Sequence, residues 1–297
     1  MLARRSYPAP VQALLGEMAA GAALMAASIK FNGSLVLQMM GEGSLRVAVA
    51  ECAPGMGLRA TAKWQEPLEA DSFAALLGAG LSGSGARCVI TLDPKDKLPG
   101  QQPYQGVVGL LDDADVPYQA LADVLANYMV RSEQIETRFI LACDATRACG
   151  ILVQRMPHEG GSGDKAALAL AETQHERASH AAFDEALLML TTLKAPELLA
   201  TPPQDMVRKL FTELNLQQWS GDSDAGTPHF ACSCSRSKVS AMLRMLGTAE
   251  VESILAEREL VEVACEFCGK QYHFDAVDAA QVFIDGAQAV AGSATTQ

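Results

Sequence analysis

The chain has 297 residues, a formal net charge of −12 and 49% apolar side chains, enough to bury a substantial core and to form one larger domain plus a small one. The acidity argues against a binder of nucleic acid, whose affinity comes largely from Lys and Arg on phosphates. Beyond residue 227 there are five basic residues (Arg236, Lys238, Arg244, Arg258, Lys270) against nine acidic ones, so the C-terminal stretch is itself acidic.

Arg4 and Arg5 precede an apolar run over residues 18–29, which has the outline of an export signal. Glu17 and the predominance of alanine turn the reading toward a buried helix, and no segment reads as a membrane span. Tyr7-Pro8-Ala9-Pro10 opens that helix, which runs to about Ile29 and is apolar on most sides, as expected of a helix packed between other elements. The period then changes: residues 34–40 and 44–50 read as a hairpin across Gly41-Glu42-Gly43, with a further strand at 57–64 and a short helix at 72–77. A glycine-rich loop over 78–85 lacks the Lys-Ser/Thr of a phosphate loop and enters a strand at 88–92 rather than a helix, so it reads as a turn. Residues 104–110 form another strand candidate, and Asp115 is placed to cap a helix carrying Leu121, Val124, Leu125, Tyr128 and Met129. Two antiparallel strands, 137–143 and 149–156, follow across a turn, and the loop 158–164 ends the sheet material of the first domain.

Alanine-rich, charged sequence over 165–194 predicts one or two helices, Pro196 and Pro202-Pro203 punctuate it, an amphipathic helix is predicted at 206–216, and 221–228 reads as a polar hinge. Beyond it Val239, Met242, Leu243 and Leu246 make an apolar helical stripe that Gly247 stops, and Thr248 is placed to cap a second helix through Leu255. Strands at 260–264 and 271–274 complete the chain's α+β composition: an N-terminal domain of mostly antiparallel sheet with packed helices, a helical linker and a small C-terminal module, divided at 1–164, 165–227 and 228–297.

Specific chemistry is concentrated in Cys232-Ser233-Cys234 and Cys265-Glu266-Phe267-Cys268, two pairs separated by a thirty-residue helical spacer that folds them back together. Four thiolates on short turns are the soft ligand set of a tetrahedral structural zinc. Cys-x-x-Cys-Gly is the stronger half, because its amides turn toward the sulfurs and Gly269 tolerates the tight exit; Cys-x-Cys is too short for a standard knuckle. Eight cysteines in a chain of this length, four of them metal-spaced, suit a reducing cytosol better than a secreted disulfide scaffold. The alternatives are a reduced or redox-active thiol cluster without metal, and a zinc that is purely architectural. Catalysis fits poorly: four cysteines leave zinc no open position, and a thioredoxin-type Cys-x-x-Cys needs a βαβ context that this tail lacks. No Ser/His/Asp or carboxylate pair has catalytic spacing. His229 and His273 flank the cysteines and read as neighbours or surface residues, Cys52, Cys88, Cys143 and Cys149 as small hydrophobes, and Asp112, Asp113 and Asp115 as a solvated helix start.

The segments around the cysteines, Phe230-Ala-Cys-Ser-Cys-Ser-Arg236, Ser253-Ile-Leu-Ala-Glu257 and Cys265-Glu-Phe-Cys-Gly269, resemble the thirty-three-kilodalton heat-shock chaperone family, a bacterial redox-regulated holdase. Ile29-Lys-Phe-Asn-Gly33, Tyr104-Gln-Gly-Val-Val-Gly109 and Tyr128-Met-Val-Arg-Ser-Glu-Gln134 resemble it in the same order, so the likeness spans nearly the whole chain. The resemblance implies a non-enzymatic, cytoplasmic chaperone with one zinc per reduced chain, held by Cys232, Cys234, Cys265 and Cys268. On oxidation it implies the disulfides Cys232–Cys234 and Cys265–Cys268, zinc release, unfolding of the C-terminal region, capture of unfolding client proteins, and a homodimer; no nucleic acid or membrane partner is implied. The surface for clients is expected on the apolar linker, at Phe183, Leu187, Leu190, Leu210, Phe211, Leu214 and Trp219, and on the sheet face it covers. A constitutive structural-zinc protein, acting as an interaction module or thiol oxidoreductase, is the alternative. Two departures stand out. The chain opens almost at Tyr7-Pro8, where family members carry a further edge strand and helix start, so a sheet edge is expected to be missing; and residues 158–180 are longer than the family pattern.

Overall fold

The computed structural model describes residues 2–29, 31–68, 70–80, 84–156, 165–212, 216 and 226–293. They fall into two compact units, Met1–Phe230 and Ala231–Gln297. The first contains α1 (Ala9–Ser28), β1 (Gly33–Met40), β2 (Leu45–Ala53), β3 (Gly57–Trp64), α2 (Phe73–Leu77), β4 (Arg87–Pro94), β5 (Tyr104–Gly109), α3 (Leu121–Tyr128), β6 (Thr137–Cys143), β7 (Ala148–Gln154), α4 (Lys165–Thr191), α5 (Ala195–Ala200), α6 (Pro203–Leu210) and β8 (His229–Phe230).

Six strands form one sheet in the order β5-β4-β1-β2-β3-β8, antiparallel except for β8, which runs parallel to β3. Alternation gives the sheet one apolar face: Leu35, Leu37 and Met39 of β1, Ala48, Ala50 and Cys52 of β2, Ala60 and Ala62 of β3 and Cys88 and Ile90 of β4 are all buried. The cross-strand pairs Ala48↔Ala62 and Ala50↔Ala60 keep that face shallow, which leaves room for α1 to lie across it. The antiparallel hairpin β6–β7 packs on α1 from the other side. Being covered twice explains why α1 has no polar face: Val11, Leu14, Leu15, Met18, Ala22 and Met25 are all buried. The expectation that no segment is apolar enough to span a membrane needs correction here. Helix α1 meets the length and composition of a span, and half of its most apolar eighteen-residue stretch is buried inside the protein.

Two of the family-like segments meet in this unit. A Cβ on Gly106 would lie 2.4 Å from the ring of Tyr128, so glycine in β5 is what admits that ring to the core. Tyr128 is fully buried and its hydroxyl donates to Glu133 at 3.1 Å, across the π-helical turn Met129–Glu133 that ends α3.

The fold departs from the sequence reading in five places. Asp115 does not cap α3; it sits at φ +59°, while the Asp112 carboxylate accepts from the Ala114 and Val116 amides and the helix begins after Ala120. Sheet material does not end before residue 164, because β8 joins β3, with the His229 amide donating to the Met56 carbonyl at 3.0 Å. The helix expected at 206–216 starts earlier, with Pro203 at its first turn, and stops at Leu210, where Phe211 leaves helical geometry. In the second unit Thr248 is the first helical residue and Gly247, at φ +93°, occupies the cap position. Of the apolar stripe Val239, Met242, Leu243 and Leu246, only Leu243 is fully buried. The loop at 158–164 and most of the hinge at 221–228 lie outside the described residues, as do three residues of the glycine-rich loop.

The linker helices form a third layer. Ala186 and Leu190 of α4 and Phe211 beyond α6 make a small buried cluster with Ile140, Ile151 and Val153 of the β6–β7 hairpin, and Leu187 and Leu210 pack at its margin. Phe183 is half-buried, while Leu214 and Trp219 lie outside the described residues.

Candidate metal centre

The second unit contains α7 (Arg236–Leu246), α8 (Thr248–Arg258), β9 (Val261–Ala264), β10 (Gln271–Phe274) and α9 (Ala276–Ser293). Among the described residues its buried core is small: Leu243, Val251, Val261, Tyr272, Phe274, Ala279 and Val282. The hairpin β9–β10 carries Cys265 and Cys268 in its turn. That turn is closed twice, by the Cys265 amide on the Lys270 carbonyl at 2.9 Å and the Gly269 amide on the Cys265 carbonyl at 2.8 Å. Gly269 sits at φ +71°, the conformation the sequence required of it. Cys232 and Cys234 lie just before α7, whose start is capped by Ser235 accepting from the Lys238 amide. Arg236 ties these parts together: it donates to the His273 carbonyl at 2.9 Å, pairs with Asp278 at 2.8 Å and lies 4.1 Å above the Phe274 ring.

Folding brings all four sulfurs within 4.8 Å of one another. Cys232 and Cys265 are 3.7 Å apart and Cys234 and Cys268 3.4 Å. Four sulfurs at Zn–S bonds of about 2.3 Å around a tetrahedral centre would stand roughly 3.8 Å apart, so the donor set fits a soft divalent cation in both chemistry and spacing. The thiols titrate unevenly. The Tyr272 hydroxyl donates to Cys234 at 3.1 Å and, chiefly through that bond, draws this thiol down to about 7. Burial pushes Cys268 up to about 12 and raises Cys232, in each case against an amide donor, Lys270 for Cys268 and Cys234 for Cys232. A cluster that resists collecting negative charge in this way is one that a cation would stabilise.

Among the described residues this is the one metal-competent group of His, Cys, Asp and Glu. His273 stands outside it, exposed and 3.4 Å from Glu262, and the His229 ring lies 3.0 Å from the Thr227 carbonyl. Asp113 pairs with Arg131 instead of joining a cation site. Cys52 and Cys88 are buried in the sheet, and Cys143 and Cys149 lie in the β6–β7 hairpin, half-buried. Tyr272 and Arg236 are the side chains beside the cluster that the cysteine spacing did not reveal. For Tyr272 the signal was available in the alternation of β10, which turns Tyr272 and Phe274 inward beside the Cys-x-x-Cys turn.

Residues 1–275 match the sequence profile described as Hsp33 protein. The chain belongs to the Hsp33 family. It is 39% identical over 283 residues to the 33 kDa chaperonin of Methylobacillus flagellatus, covering 95% of this chain and 85% of that one. The 33 kDa chaperonin of Neisseria meningitidis serogroup A is 36% identical over 280 residues, with coverage of 94% and 82%. The crystal structure of the 33 kDa chaperonin from Thermotoga maritima superposes with a TM-score of 0.66 over 96% of this chain and 89% of that one; at 18% identity it bears on the fold alone. Hsp33 membership makes this chain a non-enzymatic chaperone of the holdase class, and its four cysteines form a cluster that could hold a metal.

Proposed function

We propose that this chain is a cytoplasmic holdase switched by thiol oxidation, inactive with zinc bound and active without it. The observation that carries the reading is the convergence of Cys232, Cys234, Cys265 and Cys268 in a unit whose buried apolar core, among the described residues, is small. Bound by these four thiolates, one zinc per chain would contribute folding free energy, about 10–16 kcal/mol on the scale of structural zinc sites, comparable with the whole stability of a small domain. On oxidation Cys232 joins Cys234 and Cys265 joins Cys268, each pair giving two electrons to the oxidant and losing its capacity as ligands. Residues 228–297, left to their small core, then unfold.

The linker, residues 165–227, loosens next. Phe183, Leu187, Leu190, Leu210, Phe211, Leu214 and Trp219 become available to unfolding client proteins, together with the hairpin face beneath Ala186, Leu190 and Phe211 in the core domain, residues 1–164. The oxidised chain acts as a homodimer. Support comes from family membership, from the cysteine geometry and from the burial of Leu190 and Phe211 against the hairpin.

The test is zinc content and hydrogen exchange on reduced and oxidised chain, with suppression of client aggregation read in parallel. The expected order is loss of protection in 228–274, then in the linker, with the strands between 34 and 156 still protected. Aggregation suppression by oxidised chain in which both regions stay protected would rule out the unfolding switch. Zinc retained after oxidation would favour a constitutive structural site.

A further inference from the structure

We propose that the Tyr272 hydroxyl is a positioning donor for the zinc-binding thiolates, and that its hydrogen bond to the Cys234 sulfur governs how long the reduced chain keeps its metal. The inference rests on the zinc reading above and adds to it a residue outside the ligand set.

Three observations carry it. The hydroxyl donates to the Cys234 sulfur at 3.1 Å. The ring is fixed, because Tyr272 is only 5% exposed, belongs to the unit's small core and pairs in register with Val263 across β9–β10. The bond also joins parts that the chain holds separately: Tyr272 belongs to the hairpin that bears Cys265 and Cys268, whereas Cys234 belongs to the Cys-x-Cys turn before α7. The hairpin turn has two backbone hydrogen bonds of its own. In the Cys-x-Cys turn the Cys234 amide donates to the Cys232 sulfur, and the phenol reaches the turn's second sulfur from the opposite half of the site.

Removing the hydroxyl would leave that sulfur more electron-rich, which a charge-transfer band reads, and less firmly held at ligand distance, which favours departure of the metal. Partners that hydrogen-bond to metal ligands are commonly worth a factor of about 10–100 in metal affinity.

The experiment uses full-length reduced chain, loaded with zinc for kinetics and with cobalt(II) for spectroscopy. Tyr272→Phe keeps the ring and removes the donor, so zinc transfer to a coloured chelator should quicken roughly tenfold. The thiolate-to-cobalt charge-transfer band should move to lower energy. Site-specific 3-fluorotyrosine at position 272, a stronger donor in nearly the same volume, should move both readouts the opposite way. A ring that only fills the core predicts no change in either, and unchanged rate and band in Tyr272→Phe would overturn the proposal. If that variant does not fold, the fluorotyrosine chain decides by the same two readouts. Absence of any thiolate-to-cobalt band in the unaltered chain would instead take down the zinc reading itself.

Discussion

Gly16 of α1 lies directly against Cys143 of β6: a Cβ built on the glycine would stand 2.0 Å from the Cys143 sulfur and 2.7 Å from its Cβ. Helix and hairpin can approach this closely only with glycine at the crossing. Gly16→Ala should therefore destabilise the first unit by about 1–3 kcal/mol despite the better helix propensity of alanine. Adding Cys143→Ala should recover only part of the loss, since the Cβ conflict survives. Thermal unfolding of the two variants checks this, and full recovery in the double variant would show that the sulfur alone is the obstacle.

The same packing should keep Cys143 out of thiol chemistry. Burial pushes its thiol up to about 11, and likewise Cys52 to about 11 and Cys88 to about 12. In β6–β7 Cys143 pairs with Ala148 and Cys149 with Ala142, which turns the two cysteines to opposite faces of the hairpin. Mild peroxide treatment followed by differential alkylation and mass spectrometry should find Cys52, Cys88, Cys143 and Cys149 still as thiols while the C-terminal four have reacted. A Cys143–Cys149 bridge at the same oxidant dose would contradict the register.

Glu17 is a second cost that α1 carries. Burial raises its carboxyl from 4.5 to about 7, so between those values the folded chain binds a proton that the unfolded chain has released. Stability attached to this group is fully present below pH 4.5 and drains away as pH rises toward about 7. The full displacement corresponds to about 3 kcal/mol; because the side chain is partly open to solvent, about 1–2 kcal/mol is expected. Glu17→Gln should stabilise the first unit by that amount at pH 7.5 and flatten its pH dependence, measured by urea unfolding at several pH values. Equal gains at pH 4 and pH 7.5 would mean that charge is not the cause.

Metal uptake should be linked to protons through Cys234. With this thiol drawn down to about 7, it is mostly protonated at pH 6 and mostly ionised at pH 8. Zinc binding should accordingly release about one proton fewer at the higher pH. Calorimetry in buffers of different ionisation enthalpy counts those protons, and in Cys234→Ser this step should disappear.

Leu190, 2% exposed, anchors the linker on the β6–β7 hairpin. Leu190→Ala should cost the linker cluster about 2–5 kcal/mol and loosen it without touching the cysteines. The reduced variant should keep its zinc and yet suppress aggregation, in part, without oxidant. Suppression unchanged from the parent chain would place the client surface elsewhere.

How far the sequence told this in advance depends on the range of the interactions. The four sulfurs were legible, because Cys-x-Cys and Cys-x-x-Cys-Gly fix local turns and only one spacer had to fold. The strands from β1 to β5 were legible from alternation, and α1 from an apolarity that two covered faces explain. Asp115 misled because the chain there takes a left-handed turn organised by Asp112, a choice made by two neighbouring amides. The pairing of β8 with β3 could not be read, since two residues carry no period and their partner lies more than 160 positions upstream. Tyr272 was visible as an inward strand residue, but its bond to Cys234 exists only once both turns have met.

The double burial of α1 has a consequence for the ribosome as well as for the folded chain. The helix is complete once Ser28 has been added, yet the hairpin that covers its second side ends at Gln154, 126 residues later. At about 5–20 residues per second, an apolar helix about 30 Å long waits roughly 6–25 seconds for half of its shelter. A chain that guards other proteins against aggregation thus spends its own synthesis with a long greasy segment uncovered, and its yield in cells should respond to the supply of nascent-chain chaperones.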